Sequence, residues 1–314
     1  MEFVIDSKAH GMTVLNFLRY EAGISGAMLR HLKHVENGIT VNGIHVTVRH
    51  ILSKGELLSI KSEDSEASQN IVATDIEIDI VYEDDDIVLP DKPPFMPTHP
   101  SHGHFDDTVA NALCYRYSGK KEPFVFRAIN RLDRNTSGLL LIARNRVAAS
   151  KLSASLKSGE ISKEYIAILK GSLPQAEGII DTYIKRTAAS IITRRVCQEN
   201  EGGDRALTSY NVLFSNGEYS IVKATPITGR THQLRVHFAY LGAPIVGDDM
   251  YGEICPYIDR HALHASRLTF PHPSSKRVIS LFSPMPRDMR DLIRALFAED
   301  ECREIDELIK NKEK

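Results

Sequence analysis

The sequence has no apolar run approaching the roughly 20 residues that cross a bilayer. Its first residues, Met-Glu-Phe-Val-Ile-Asp, lack the basic-then-apolar layout of a signal peptide. Both absences lead us to expect a cytoplasmic protein with no membrane partner. Cysteine is sparse: Cys114, Cys197, Cys255 and Cys302 are far apart and form no Cys-x-x-Cys pair. They read as reduced thiols of a cytosolic chain, neither a zinc site nor a disulfide framework. Net charge is also low, −2, which speaks against a non-specific nucleic-acid binder whose affinity comes from neutralising phosphates. There is no Gly-x-Ser-x-Gly, no P-loop and no Gly-x-Gly-x-x-Gly, so no serine-nucleophile or nucleotide-cofactor chemistry is indicated.

What is present is a segregation of charge. Acid concentrates at 63–66, 83–86 and 299–307, and base at 144–163, at 185–195 and at Arg230 and Arg235. The 314 residues hold one large domain plus a small one, or two medium ones. Residues 1–60 read as a compact unit. A helix over 13–21 carries Val14, Phe17 and Leu18 on one face, and a second helix follows over about 25–33. Gly-Ile-Thr-Val-Asn-Gly (38–43) then predicts a hairpin turning at Asn42-Gly43, with short strands over 44–48 and 57–60. Residues 61–75 are rich in Ser and acid and read as a linker.

Beyond residue 75 strands alternate irregularly with helices. Strands are expected at 76–81, 87–89, 165–169, 208–214, 219–223 and 278–282. Helices are expected at 108–117, 146–157 and 231–241, each with an N-cap candidate and a glycine just past its end. The order predicts an α+β fold with a mixed, largely antiparallel central sheet flanked by helices.

Three stretches could carry chemistry. In residues 129–145 one carboxylate, Asp133, sits between Arg131 and Arg134 in a polar loop that ends at Gly138, and an apolar strand-like run, 139–143, follows at once. Loops at the mouths of buried strands commonly hold reactive groups; the bland alternative is a solvated ion pair of little consequence. Residues 228–237, Thr-Gly-Arg-Thr-His-Gln-Leu-Arg-Val-His, open a helix whose N–H groups and Arg230 form a candidate phosphate corner. Arg235 lies off the stripe of Leu234, Phe238 and Leu241, so it can face a cleft and hold a nearby carboxylate ionised. The third stretch, His99 to Asp107, includes His102-x-His104-x-Asp106, which resembles the ligand run of metallo-β-lactamase-type hydrolases. The further His of that run is Asp107 here, and a His-rich loop ahead of a helix is the preferred reading over a metal site. Tyr165, in Lys163-Glu164-Tyr165, is either a packing residue or a platform for a planar base.

Taken together these segments resemble the RluA-type pseudouridine synthases. Asn130-Arg131-Leu132-Asp133-Arg134-Asn135-Thr136-Ser137-Gly138 is similar to that family's His-Arg-Leu-Asp-x-x-Thr-Ser-Gly loop. Residues 84–93 with His99-Pro100, the Lys163-Glu164-Tyr165 triplet, residues 226–252, Leu263-His264-Ala265 and Pro284-Met285-Pro286 match its other motifs in order. The likeness spans about 76–290 and implies a catalytic domain over 76–298 followed by a charged tail, 299–314. Residues 12–60 resemble the small S-four-type RNA-binding domain, with Arg30, His31 and Lys33 as its bases. Two departures stand out. Asn130 replaces the usual His, and Asp91-Lys92-Pro93 after Pro90 replaces Asn-Lys-Pro, with Pro90 expected to break the strand.

The resemblance implies isomerisation of uridine to pseudouridine in RNA, without metal or organic cofactor and without an obligate protein partner. Large-subunit ribosomal RNA is the favoured target and tRNA the alternative. It implies Asp133 as the reacting group, Arg235 as its ion-pair partner and Tyr165 as the stacking platform. Arg131 would fill the stack vacated by the flipped base, Leu263 would wall the pocket, and Arg230 and Lys92 would contact phosphate or a loop. A catalytically idle RNA-binding protein using the same groove, and a metallohydrolase built on His102 and His104, are the readings from other classes.

Overall fold

A computed structural model describes residues 1–24, 26–61, 71–119, 123–188, 190 and 192–313, with the backbone alone at 27, 31 and 310–313. The N-terminal unit begins with β1 (Glu2–Val4) and α1 (Val14–Asn16), which runs into a π-helical turn (Phe17–Glu21). It continues through α2 (Gly26–Leu32), β2 (Ile39–Val41), β3 (Ile44–His45) and β4 (Leu57–Ile60). Four strands pair in the order β1-β4-β2-β3. Asn42 and Gly43 both take positive φ, 51° and 81°, the geometry a two-residue primed hairpin turn requires. Val14, Leu18, Leu29, Leu32, Ile39 and Leu58 form a separate core, which Val147 of the larger unit joins. Of the expected linker, residues 62–70 lie outside the described residues. Residues 71–75 follow the next unit's first helix instead, Asn111 Nδ2 donating to Val72 O at 2.7 Å.

The larger unit is built on an eleven-stranded sheet. Its elements are β5 (Asp79–Glu83), β6 (Ile87–Lys92), α3 (Val109–Tyr117), β7 (Ser137–Leu139), β8 (Ile142–Ala143) and α4 (Arg146–Ser158). There follow β9 (Ser162–Lys170), β10 (Glu177–Arg186), β11 (Arg194–Cys197), β12 (Asp204–Ser215), β13 (Tyr219–Pro226) and α5 (Gln233–Tyr240). The chain closes with β14 (Leu263–Pro271), β15 (Val278–Phe282), α6 (Arg287–Leu296) and α7 (Glu299–Glu313). Strand order is β11-β10-β12-β13-β9-β14-β7-β6-β5, with β15 on β14 and β8 on β6. The β7–β14 pair is parallel, and the other pairings among the described residues are antiparallel. The fold is therefore α+β, as expected.

Both faces of this sheet are covered, which explains its uninterrupted apolar runs. Ile87, Leu89, Leu139 and Leu141 point to one core with Ala148 and Leu152 of α4. Their neighbours Val88, Leu140 and Ile142 point to the opposite core with α3, α5 and α6. The run over 139–143 is thus two short strands, β7 and β8, each buried on both sides. Helix ends follow their caps. Asn145 Oδ1 accepts from Ala148 N–H at 2.8 Å at the start of α4, and Gly159, at φ 81°, closes it.

One expectation is corrected. Pro90 does not break its strand: β6 runs through it, and Pro90 O accepts from Leu140 N–H at 3.1 Å. The partner strand shifts register between Ile80 and Tyr82, so the missing proline N–H falls at an irregularity of the ladder. The charged C-terminal segment forms the helix α7, whose Ile305 is buried against the main core.

Candidate active site

Asp133 belongs to the loop that feeds β7, and the loop is tied down through its backbone. Thr98 Oγ1 donates to Leu132 O at 3.2 Å, and Thr136 N–H donates to Asp133 O at 3.1 Å. Asn130, where the family has His, accepts from Leu141 N–H at 2.7 Å through Oδ1. Its carboxamide thereby staples the loop's start to the end of the β-ribbon that the loop leads into, a job that needs no titratable ring.

Lys92 and Arg260 supply buried cations beneath the loop. The Lys92 ammonium is fully buried and donates to Pro93 O, Met96 O and Arg134 O at 2.9, 2.8 and 2.9 Å. Burial pushes its pKa down to about 7, with Arg260 adding to the fall. Arg260 pairs with Asp288 at 2.6 and 3.0 Å and donates to Asn135 O and Leu263 O, both at 3.1 Å. It thus locks the loop to the segment before β14. The lock needs close approach: Gly138 sits at φ 112°, and a Cβ there would lie 2.3 Å from Ala265 O.

The facing wall is the turn between β13 and α5. Gln233 Oε1 accepts from Thr228 Oγ1 at 2.7 Å and from Arg230 N–H at 3.0 Å, and its Nε2 donates to Leu207 O at 2.9 Å. The Arg230 N–H that could have received a phosphate is therefore already bonded. The Arg230 side chain donates Nε–H to Arg205 O at 3.0 Å and stays partly exposed at the rim.

Arg235 is buried and forked onto Asp248, Nε to Oδ2 and Nη2 to Oδ1, both 2.7 Å. Its remaining nitrogen, Nη1, lies 3.7 Å from Asp133 Oδ2. The sequence reading paired Arg235 with Asp133. The tight partner is Asp248, and that fork aims the free edge of the guanidinium at Asp133. Burial opposes the Arg235 charge, but the Asp248 carboxylate outweighs it and holds the guanidinium above its ordinary pKa. For Asp248 burial pushes the carboxyl up, while Arg235 and the Met250 N–H pull it below its usual range.

The two walls enclose a cleft of about 370 Å³. Asp133, Tyr165, Arg235, Arg131, Arg230 and Leu263 all line it. Tyr165 lies on β9 between Ala224 of β13 and Ala265 of β14, so small neighbours leave its ring to form the floor. Burial, then the Asp133 charge, drives its phenol up, so it stays protonated. Arg131 is exposed at the mouth. Lys92 is the exception. It does not line the cleft, and its buried ammonium is spent on three carbonyls, so the phosphate contact considered for it is corrected to a tie within the loop.

Three cleft residues escaped the sequence reading. Lys163 lies two residues before Tyr165 on the same face of β9 and is 9% exposed, and its ammonium has no hydrogen-bond or ion-pair partner among the described residues. Burial pushes its pKa down. His232 Nε2 lies 3.9 Å from Asp133 Oδ2. His99 reaches the cleft while packing edge-on against Phe126, ring centroids 4.8 Å apart. The signal for Lys163 was in the sequence, in the strand period of 2 from Tyr165; Asp248 and His232 lay inside the matched stretch 226–252, but nothing local assigned either a role. His104 pairs with Asp107 at 2.6 Å, and among the described residues no three His, Cys, Asp or Glu side chains converge as a metal set.

The site thus offers one partly exposed carboxylate, a buried guanidinium beside it and an aromatic floor, and no helix of the described residues is long and apolar enough to cross a membrane. Residues 86–240 match the family model for RNA pseudouridylate synthase. The chain is 36% identical to the uncharacterised RNA pseudouridine synthase YjbO of Bacillus subtilis, over 87% of this chain and 96% of the relative. It is 35% identical to ribosomal large subunit pseudouridine synthase D of Vibrio cholerae, over 83% and 84% of the two chains. The solved structure of human RNA pseudouridylate synthase domain containing 1 superposes with a TM-score of 0.54 at 31% identity, covering 66% of this chain and 83% of that one. The chain belongs to the RNA pseudouridylate synthase family and is an RNA pseudouridine synthase.

Proposed function

We propose that this enzyme converts uridines of large-subunit ribosomal RNA to pseudouridine, with Asp133 as the reacting carboxylate. The observation that carries the reading is the Asp133–Arg235 approach at 3.7 Å above the Tyr165 floor. The target is favoured by relatives in Vibrio cholerae and Pseudomonas aeruginosa that bear the name ribosomal large subunit pseudouridine synthase D.

The isomerisation breaks the bond from N1 of uracil to C1′, turns the base and forms a bond from C5 to C1′. The proton on C5 leaves and N1 gains one, so no atom is added or lost. An ionised carboxylate serves as nucleophile at C1′ or as base against the sugar, and either route needs one Asp. Arg235, held by Asp248, keeps that carboxylate ionised and oriented. Tyr165 stacks on the extruded uracil and Leu263 closes the pocket beside it. Extrusion costs a few kcal/mol, and Arg131 at the mouth occupies the vacated stack. Lys163 and Arg230 receive flanking phosphates. Residues 1–60 act as an S-four-like RNA-binding unit, with exposed Arg30 and Lys33 supplying charge.

Asp133→Asn is expected to abolish pseudouridine formation while RNA affinity stays within a few-fold of wild type, read by carbodiimide primer extension and filter binding. New pseudouridine made by that variant would refute the assignment. Mapping pseudouridine in total RNA from cells with and without the gene tests the target. A site lost from tRNA alone would redirect it there.

A further inference from the structure

His232 sits where a helix N-cap would be, yet makes no capping bond to α5. Its backbone is left-handed, φ 56° and ψ 20°, a conformation uncommon for residues other than glycine. The ring is therefore turned away from its own helix and into the cleft. Nδ1 is 2.8 Å from the Tyr251 hydroxyl, and Nε2 is 3.9 Å from Asp133 Oδ2.

The Tyr251 hydroxyl has one proton to give. It accepts from Arg194 N–H, on β11, at 2.8 Å, so its own proton is directed at His232 Nδ1. A neutral imidazole whose Nδ1 accepts carries its proton on Nε2. That proton faces Asp133. The Arg235 guanidinium lies 5.1 Å over the Tyr251 ring, which holds the phenol in place.

We propose that His232 is a positioning residue for Asp133: Tyr251 fixes its tautomer so that a neutral Nε2–H, alongside the Arg235 cation, orients the reacting carboxylate. This rests on the reading of Asp133 as the reacting group. A neutral donor fits the task. It directs one carboxylate oxygen without adding a second positive charge that would tether the group and weaken it as a nucleophile. The 3.9 Å gap closes when uridine fills the cleft, as catalytic hydrogen bonds commonly tighten only with substrate bound. The charged and titratable groups around the ring are Asp133, Arg235, Arg194, Asp248, Tyr251 and His261. Burial, then Arg235 and Arg194, holds the imidazole neutral against the pull of Asp133 and Asp248.

Long-range proton–nitrogen NMR of the full-length protein without RNA reads the tautomer directly. Nε2–H is expected for His232 at neutral pH; an Nδ1–H ring or an imidazolium would overturn the proposal. Single-turnover pseudouridine formation on transcribed large-subunit ribosomal RNA then tests the role. His232→Asn tolerates the left-handed backbone and still faces Tyr251, but presents nothing to Asp133. It is expected to lower kcat roughly ten- to hundred-fold, the scale of a hydrogen bond to a charged group, with KM unchanged. His232→Gln, whose amide reaches the Nε2 position, is expected to recover most of the rate. Equal losses in both variants with a raised KM would mark a structural role and sink the idea. Tyr251→Phe frees Nδ1 to take a proton, so its rate is expected to fall as pH drops through the ordinary imidazole range. A profile superimposable on wild type would also overturn the proposal. A wild-type protein inactive on this transcript would refute the target reading, while the NMR result would still decide His232.

Discussion

Asp248 shapes the cleft through Arg235 without lining it. It is fully buried and forked onto Arg235, so removing its charge strands a guanidinium in the core. Asp248→Asn is expected to cost about 3–5 kcal/mol of stability in urea denaturation, the range for breaking a buried pair. The sign with pH follows from its depressed folded-state pKa. The pair's contribution is full above the unfolded carboxylate value of about 3.9 and is lost as pH falls through the lower folded value. Wild type therefore loses this stability in acid, and Asp248→Asn should show a shallower acid limb. Lys92 makes a different point. Its three carbonyl bonds predict that Lys92→Met slows turnover and lowers Tm by freeing the Asp133 loop. Phosphate contacts are read by salt, and the slope of log affinity against log salt is expected to stay at its wild-type value. A slope reduced by about 1 would restore the phosphate role. Asp133, Tyr165 and Arg235 were legible in the sequence, and the structure brings all three to one cleft. Asp248 was not legible, because its role exists only once α5 folds back against the turn after it.

Elements whose own sequence carries both ends were readable. The start and stop of α3 and α4 were signalled by Thr108, Asn145, Gly119 and Gly159. The hairpin at Asn42-Gly43 was signalled by turn chemistry alone. β10, β11 and β14 were missed, since what makes them strands is their partners. β14, with buried His264 and Ser266 among its residues, is polar in sequence, but it lies between β7 and β9 in the middle of the sheet. Its parallel pairing with β7 depends on Gly138. Gly138→Ala is expected to destabilise the fold by on the order of 3 kcal/mol, combining backbone strain with an overpacked contact. Chemical denaturation would measure it, and a loss under about 1 kcal/mol would show that the two strands tolerate separation.

Across the whole molecule, the cleft belongs to the larger unit, while Arg30 and Lys33 stand exposed on the smaller one. The N-terminal sheet has its own core and meets the larger unit at Val147 of α4, whereas the residues that line the cleft all belong to the larger unit. Arg30→Glu with Lys33→Glu is expected to raise KM for ribosomal RNA and reduce the salt slope by about 2, one per lost phosphate contact, while leaving single-turnover kcat alone. A fall in kcat with KM unchanged would show that those residues are coupled to the reaction instead.

The continuous ladder beneath the cleft has a mechanical consequence. Asp133 hangs from β7 and the Arg235 turn from β13, and β14 and β9 join those strands through backbone hydrogen bonds, with one register shift between Ala265 and Arg267. Spreading the cleft would tear the middle of the sheet, so the enzyme has no jaw to open. The larger motion in bringing uracil to the aspartate is therefore expected of the RNA, and uridines in readily deformed surroundings are expected to react fastest.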